Sequence, residues 1–255
     1  MPRPDHRANE DAVRIGIISD IHANLEALEA VLESLRQAGC DHYVCLGDVV
    51  GYGAQPNECC DLVRSVANAT ILGNHDAAVA GRMDYSYYRA PARQALDWHS
   101  RILSRENLAW LRGLPYSHEV EDVAFCHGSP AAIEDFEYVF VVDQVRELSV
   151  RMHDFKPVTF IGHSHLCKSF SFDATSAEEV LHTRFRCEPD RRYIITAGSV
   201  GQPRDYDSRA CCAVYDTETR RFEYRRVSYD VESAARKIFA SDLAVAFGKR
   251  LFLGV

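Results

Sequence analysis

The sequence predicts an α/β domain in which two sheets pack together with helices outside them. Strand-like and helical stretches alternate through the first 75 residues. After residue 115, strand-like runs joined mostly by short turns dominate. No internal repeat, low-complexity tract or linker divides the 255 residues, enough for one domain with a substantial core. The expected division is a disordered polar leader over 1–12 and one domain over 13–255.

Each element has a local reason. Val13 to Ser19 is apolar and strand-like, and helical spacing of Leu25, Leu28, Val31, Leu32 and Leu35 follows it. Asn24 precedes that helix as a plausible cap. A second strand over Tyr43 to Leu46 leads to Gly51-Tyr52-Gly53, then to a helix after Pro56 carrying Leu62, Val63 and Val66, then to a third strand over Ala69 to Leu72. Strands joined by helices imply right-handed crossovers and parallel pairing. From Asp76 to Leu114 the pattern is helical, in two or three short helices. Pro91 can begin one, and Trp98, Ile102, Leu108, Trp110 and Leu111 are the buried candidates. Seven strand-like runs follow, at Tyr116–Val120, Val123–Cys126, Val158–Ile161, Lys168–Phe172, Tyr193–Thr196, Cys212–Tyr215 and Phe222–Val227. One helix interrupts them, from Val141 to Met152. A last helix starts near Asp230, with Ala234, Ile238 and Phe239 on one side.

Composition narrows the function. The formal net charge of −8 argues against a broad basic surface, so nucleic acid is not an expected partner. No apolar run approaches the roughly 18 residues of a membrane span. The N-terminus lacks the apolar core of a signal peptide, which points to the cytoplasm. The nine cysteines form no C-x-x-C pair, and Cys45, Cys126 and Cys212 lie in apolar runs, so they read as structural thiols. Oligomeric state leaves no signal.

The chemistry lies in five short polar clusters, each ending an apolar run: Asp20-Ile21-His22, Gly47-Asp48, Gly73-Asn74-His75-Asp76, His127-Gly128 and Gly162-His163-Ser164-His165. A buried strand whose end carries chemistry has this form. Asp, Asn and His are oxygen and nitrogen donors for divalent metals, and the clusters hold enough of them for two ions. The i, i+2 spacings of Asp20 with His22 and of His163 with His165 put each pair on one side of an extended segment. Asp48 follows a glycine, and its two carboxylate oxygens make it the natural shared ligand. Asn74 offers a neutral oxygen.

This series resembles the calcineurin-like metallophosphoesterase superfamily, whose pattern runs D-x-H, G-D, G-N-H-D/E, H, G-H-x-H. It is closer still to a group of small bacterial phosphoesterases and protein-phosphatase-like members. They share the segments Ser19 to Leu28, Gly47 to Gly53, His127 to Pro130 and Gly198 to Asp205. The resemblance implies a four-layer α/β/β/α sandwich with two mixed sheets, and two divalent ions (Mn, Fe, Ni, Co or Zn, with Mn favoured). It places Asp20, His22, Asp48 and His165 on one ion and Asp48, Asn74, His127 and His163 on the other. His75 matches the catalytic histidine that binds no metal. Asp76 would orient His75 or raise its pKa.

The implied activity is hydrolysis of a phosphate mono- or diester, by attack of a hydroxide bridging the two ions. Its substrate is a small molecule or a phosphoprotein. A dinucleoside-polyphosphate hydrolase or nuclease of the same superfamily is the alternative enzyme. A non-catalytic scaffold is the alternative class, and the complete cluster set weighs against it. Substrate contacts are open at three residues. Asn24 either caps its helix or reaches phosphate, and Tyr52 either lines the pocket or merely completes a tight loop. Arg204 either meets a substrate anion or pairs with Asp205 or another acid. The segment from Ser129 to Phe140 is a candidate lid.

Overall fold

The computed structural model describes residues 13–255, so the leader expected over 1–12 lies outside the described residues. The chain runs β1 (Arg14–Ile18), α1 (Leu25–Gln37), β2 (His42–Cys45), α2 (Pro56–Val66), β3 (Ala69–Thr70), α3 (Asn74–Val79), α4 (Ala90–Ile102), α5 (Arg105–Gly113), β4 (Ser117–Val120), β5 (Val123–Cys126), α6 (Val142–Ser149), β6 (Val158–Ile161), β7 (Ser169–Phe172), β8 (Ala177–Glu179), β9 (Arg184–Arg186), β10 (Arg192–Thr196), β11 (Ala210–Asp216), β12 (Arg221–Val227), α7 (Val231–Phe239) and α8 (Val245–Leu253). Among the described residues no helix is long and apolar enough to cross a membrane.

Two six-stranded sheets form, in the orders β3-β2-β1-β11-β12-β9 and β4-β5-β6-β10-β7-β8. Both are mixed. β1, β2 and β3 pair in parallel, as their helical crossovers require, whereas β1 meets β11 antiparallel. In the second sheet β5, β6 and β10 are parallel neighbours, and β4 and β7 flank them antiparallel.

Strand alternation separates the layers. Ile15 and Ile17 face the second sheet and pack with Phe125, Phe160 and Phe222, all essentially inaccessible. Ile18, on the other face of β1, packs with Leu28, Val31 and Val63 of α1 and α2. Behind the second sheet, Phe170, Phe172 and Ile194 bury against Val145 and Leu148 of α6. Each such side chain contributes about 1.5–3 kcal/mol relative to exposure. The result is the four-layer sandwich.

Some local expectations need correction. α4 buries Ala95, Leu96 and His99, while Ile102 is 37% exposed. Phe239 is 44% exposed, because Ala234, Ala235 and Ile238 are the α7 residues that pack against Phe247 and Leu251 of α8. Neither α8 nor the short edge strands β8 and β9 were expected. The edge strands are polar and half-exposed, so they lack an apolar alternation.

Candidate metal centre

The five clusters meet where the ends of β1 and β2 approach those of β5 and β6. Backbone hydrogen bonds lock this junction. Asp20 N–H donates to Gly47 O at 3.0 Å, His22 N–H to Asp48 O at 2.9 Å, and Gly162 N–H to His127 O at 2.9 Å. Asp20, His22, Asp48, His163 and His165 all have positive φ, between 49° and 67°. That conformation costs roughly 1–2 kcal/mol for a residue with a Cβ. It turns each side chain sharply off its strand, and strained backbone of this kind concentrates at functional sites. Gly47, at φ 92°, supplies the turn before Asp48.

Two buried groups result, Asp20 with His22 and His165, and Asp48 with His127 and His163. Asp48 Oδ2 lies 3.4 Å from His127 Nε2 and 3.8 Å from His22 Nε2, so it faces both groups. Asn74 Oδ1 lies 3.1 Å from His127 Nε2, which puts it with the second group. Asp20 Oδ1 lies 3.3 Å from His165 Nε2.

The donor chemistry fits divalent cations. The Nδ1 atoms of His22, His127 and His165 each meet a backbone carbonyl, those of Val50, Leu46 and Gln202, at 3.0, 2.7 and 2.6 Å. A carbonyl only accepts, so each Nδ1 carries a proton and each Nε2 turns inward, as a free lone pair in His22 and His165. His22 Nε2 and His165 Nε2 then sit 3.1 Å apart. Asp20 Oδ1 is buried without a hydrogen-bond partner. Such an assembly is costly unless positive charge joins it. Burial pushes the Asp20 carboxyl up to about 6, with neighbouring Asp48 adding to the rise. Burial would lower the His127 imidazole, but the Asp48 carboxylate outweighs it and holds the ring at about 9.

His75 stands outside both groups. Its backbone N–H donates to Asp48 Oδ1 at 2.8 Å, and its ring borders a cavity of about 790 Å³. Nδ1 of His75 is buried without a partner. A Cβ on Gly51, which has φ 99°, would lie 2.3 Å from that nitrogen, so only glycine leaves room for the ring. Burial lowers His75 to about 4, against the pull of Asp48.

One site expectation is overturned. Asp76 neither orients His75 nor raises its pKa. Its carboxylate instead accepts from the backbone N–H groups of Val49, Val50 and Gly73 at 3.1–3.3 Å, clamping the loop after Asp48 to α3. Of the two roles open to Asn24, the cap is the one its side chain takes. Its Oδ1 accepts from Ala27 N–H, and its amide donates to Gly201 O, which turns the side chain inward beneath the loop. Tyr52 and Arg204 do line the cavity. Arg204 does not pair with Asp205, whose carboxylate binds Arg226. Phe136 and Tyr138, in the loop after His127, also line the cavity, and Tyr138 stacks on His163 at 3.8 Å.

Two residues emerge only in three dimensions. Tyr88 Oη accepts from Asn74 Nδ2 at 2.6 Å, fixing which end of the amide faces His127. His99 is fully buried beneath the Gly51-Tyr52-Gly53 loop, accepting from Gly51 N–H and meeting Gly53 O, each at 2.9 Å. The aromatic run Tyr85 to Tyr88 was the available signal for the first. A lone histidine in a helix offered none for the second.

Fold and site together define a class: an α/β/β/α protein with two buried His/Asp groups at the sheet ends, consistent with a dinuclear metal site. The chain belongs to the calcineurin-like phosphoesterase superfamily, whose domain matches residues 13–220. It is 38% identical over 250 residues to the uncharacterized protein MJ0912 of Methanocaldococcus jannaschii, covering 94% of this chain and 98% of that one. A crystal structure of a metallophosphoesterase from Sphaerobacter thermophilus superimposes with a TM-score of 0.81 at 35% identity, covering 96% of this chain and all of that one. The phosphodiesterase YfcE of Escherichia coli K12 is 29% identical over 126 residues, which is 45% of this chain and 68% of YfcE.

Proposed function

We propose that the chain hydrolyses a phosphate monoester or diester of a small molecule. Asp20, His22, Asp48 and His165 would hold one divalent ion, and Asp48, Asn74, His127 and His163 a second. Above all, this rests on the inward-facing lone pairs of His22 Nε2 and His165 Nε2, 3.1 Å apart beside an unpartnered Asp20 oxygen. When bound, the ions supply Lewis-acid stabilisation of phosphoryl charge and a nucleophilic water at neutral pH. Mixed nitrogen and oxygen donors suit manganese among the metals they accept.

The chain's own residues do the rest. Asp48, which would be shared by the two ions, accepts from the His75 backbone N–H through its second oxygen and so fixes where His75 sits. His75, buried and neutral in the free protein, presents its ring to the cavity where the ester would enter. An anionic phosphate arriving beside the ring favours its protonation. The proton can then pass to the ester oxygen as the P–O bond breaks, a contribution of roughly 10²–10⁴ in rate. A concave cavity of about 790 Å³ suits a small ester better than a folded phosphoprotein.

The test is hydrolysis of p-nitrophenyl phosphate and its bis ester by protein reconstituted with Mn²⁺, Ni²⁺ or Fe²⁺. Metal-dependent release of p-nitrophenol, abolished by chelator, is the expected result. No release with any of the three metals and either ester would overturn the proposal.

A further inference from the structure

The cavity beside the metal groups extends well past the space a phosphoryl group fills, and its far wall has its own chemistry. Tyr87 is 71% exposed and Tyr138 46%, although both rings border the cavity. Exposed rings at a concave site are available to stack on a planar ligand. Arg89, Arg204 and Arg250 also line it, against a single acidic side chain, Asp135. None of the three arginines has a carboxylate partner among the described residues. Arg204 reaches Gln202 Oε1 at 3.4 Å and lies over the Tyr52 ring at 5.8 Å.

A chain of rings sets the distance. Tyr52 lies 4.6 Å from the His22 ring, Phe247 lies 4.9 Å from Tyr52, and the Arg250 guanidinium lies 5.9 Å from Phe247. Arg250 is therefore two aromatic rings removed from the metal groups. A guanidinium without a carboxylate, held at that remove, is placed to receive a second anionic group of the molecule whose phosphoryl sits at the metals.

Building on the proposed phosphoester hydrolysis, we propose that this wall is a specificity subsite for a leaving group that combines a planar ring with a second anion. A nucleoside carrying two separate phosphates has this chemistry. Tyr87 and Tyr138 would contact the ring, and Arg250, helped by Arg89, the second phosphate. In hydrolysis the oxygen of water bonds to phosphorus and one ester P–O bond breaks. The leaving oxygen takes a proton, and inorganic phosphate and a nucleoside monophosphate depart.

Three probes separate the contributions: adenosine 3′,5′-bisphosphate, adenosine 5′-monophosphate and glycerol phosphate. With Mn²⁺-loaded protein, kcat/KM should be at least about tenfold higher for the bisphosphate than for the monophosphate, the scale of one charged hydrogen-bond pair. The monophosphate should in turn exceed glycerol phosphate. Arg250→Gln should collapse the bisphosphate-to-monophosphate ratio about tenfold, and Arg89→Gln should lower it less. Tyr87→Leu should narrow the gap between the monophosphate and glycerol phosphate. Calorimetry on metal-free protein gives an independent reading, with the bisphosphate expected to bind about tenfold tighter than the monophosphate. Equal kcat/KM values for all three esters, or a bisphosphate preference untouched by Arg250→Gln, would overturn the subsite. If no ester is hydrolysed but the calorimetric preference appears and depends on Arg250, the subsite stands and the hydrolase proposal fails.

Discussion

His22 Nε2 and His165 Nε2 face each other at 3.1 Å, with both rings pinned from behind by backbone carbonyls. Neither ring can turn its N–H inward without losing a buried hydrogen bond. Two acceptors so placed repel in the metal-free protein, and a cation between them reverses the sign. Manganese should therefore raise the thermal unfolding midpoint, and chelator should lower it. At a hundredfold excess over Kd the gain is about 2.7 kcal/mol. Identical melting curves with metal and with chelator would contradict the proposed site.

Asp48 reaches both groups with one oxygen, so its loss should differ in kind from loss of a one-sided ligand. Asp48→Asn is expected to lower the occupancy of both ions, whereas His22→Ala should lower chiefly one. Metal content by elemental analysis distinguishes the two. Equal stoichiometry in the two variants would remove Asp48 from its bridging role.

Metal uptake should weaken as pH falls. Binding needs Asp20 ionised and His127 neutral, and the metal-free protein holds them at about 6 and about 9. Both pKa values are raised, so the free fold favours the protonated forms and the metal must displace those protons. Between those pH values one proton leaves, from His127, and below the lower value a second leaves, from Asp20. Affinity titrations across this range, in buffers of differing ionisation enthalpy, should show proton release. A flat profile would count against the assignment.

The position of His75 depends on the absence of a side chain at Gly51. Gly51→Ala should displace the ring and reduce kcat by about 10²-fold, the scale of an ångström-sized misplacement. Metal content should fall less than kcat, because the same Cβ would crowd His22 Nδ1 only to 3.1 Å. His75→Ala should keep its metal and lose roughly 10²–10⁴ in turnover. Full activity in His75→Ala would end its proposed role.

Tyr88 anchors the Asn74 amide at 2.6 Å. Tyr88→Phe removes that acceptor and lets the amide rotate, which should weaken the metal held with His127 by about 10–100-fold. Competition with a chromophoric chelator reads this directly. An unchanged affinity would mean that packing alone orients Asn74.

Much of the candidate centre could be read in the linear chain because each candidate ligand follows a strand within a few residues. Local spacing alone placed Asp20 with His22 and His163 with His165, and an apolar run announced each strand. Asp76 shows the limit of that reading. Its neighbour in sequence is His75, but its carboxylate turns to the backbone of Val49 and Val50, because those amides are buried and need an acceptor. For Asn24 the cap at Ala27 was legible locally, whereas its bond to Gly201 O, far along the chain, was not.

By itself, the sequence determined an α/β domain, its strand ends and the set of side chains proposed to hold metal, since these depend on periodicity and residue chemistry within short windows. Only the tertiary structure decided which oxygen of Asp48 faces both groups, that His99 holds the loop under Tyr52, and that Arg250 of α8 borders a cavity beside His75. Those relationships join residues far apart in the chain. They exist because packing the two sheets and their helices brings separate strand ends and loops to one rim.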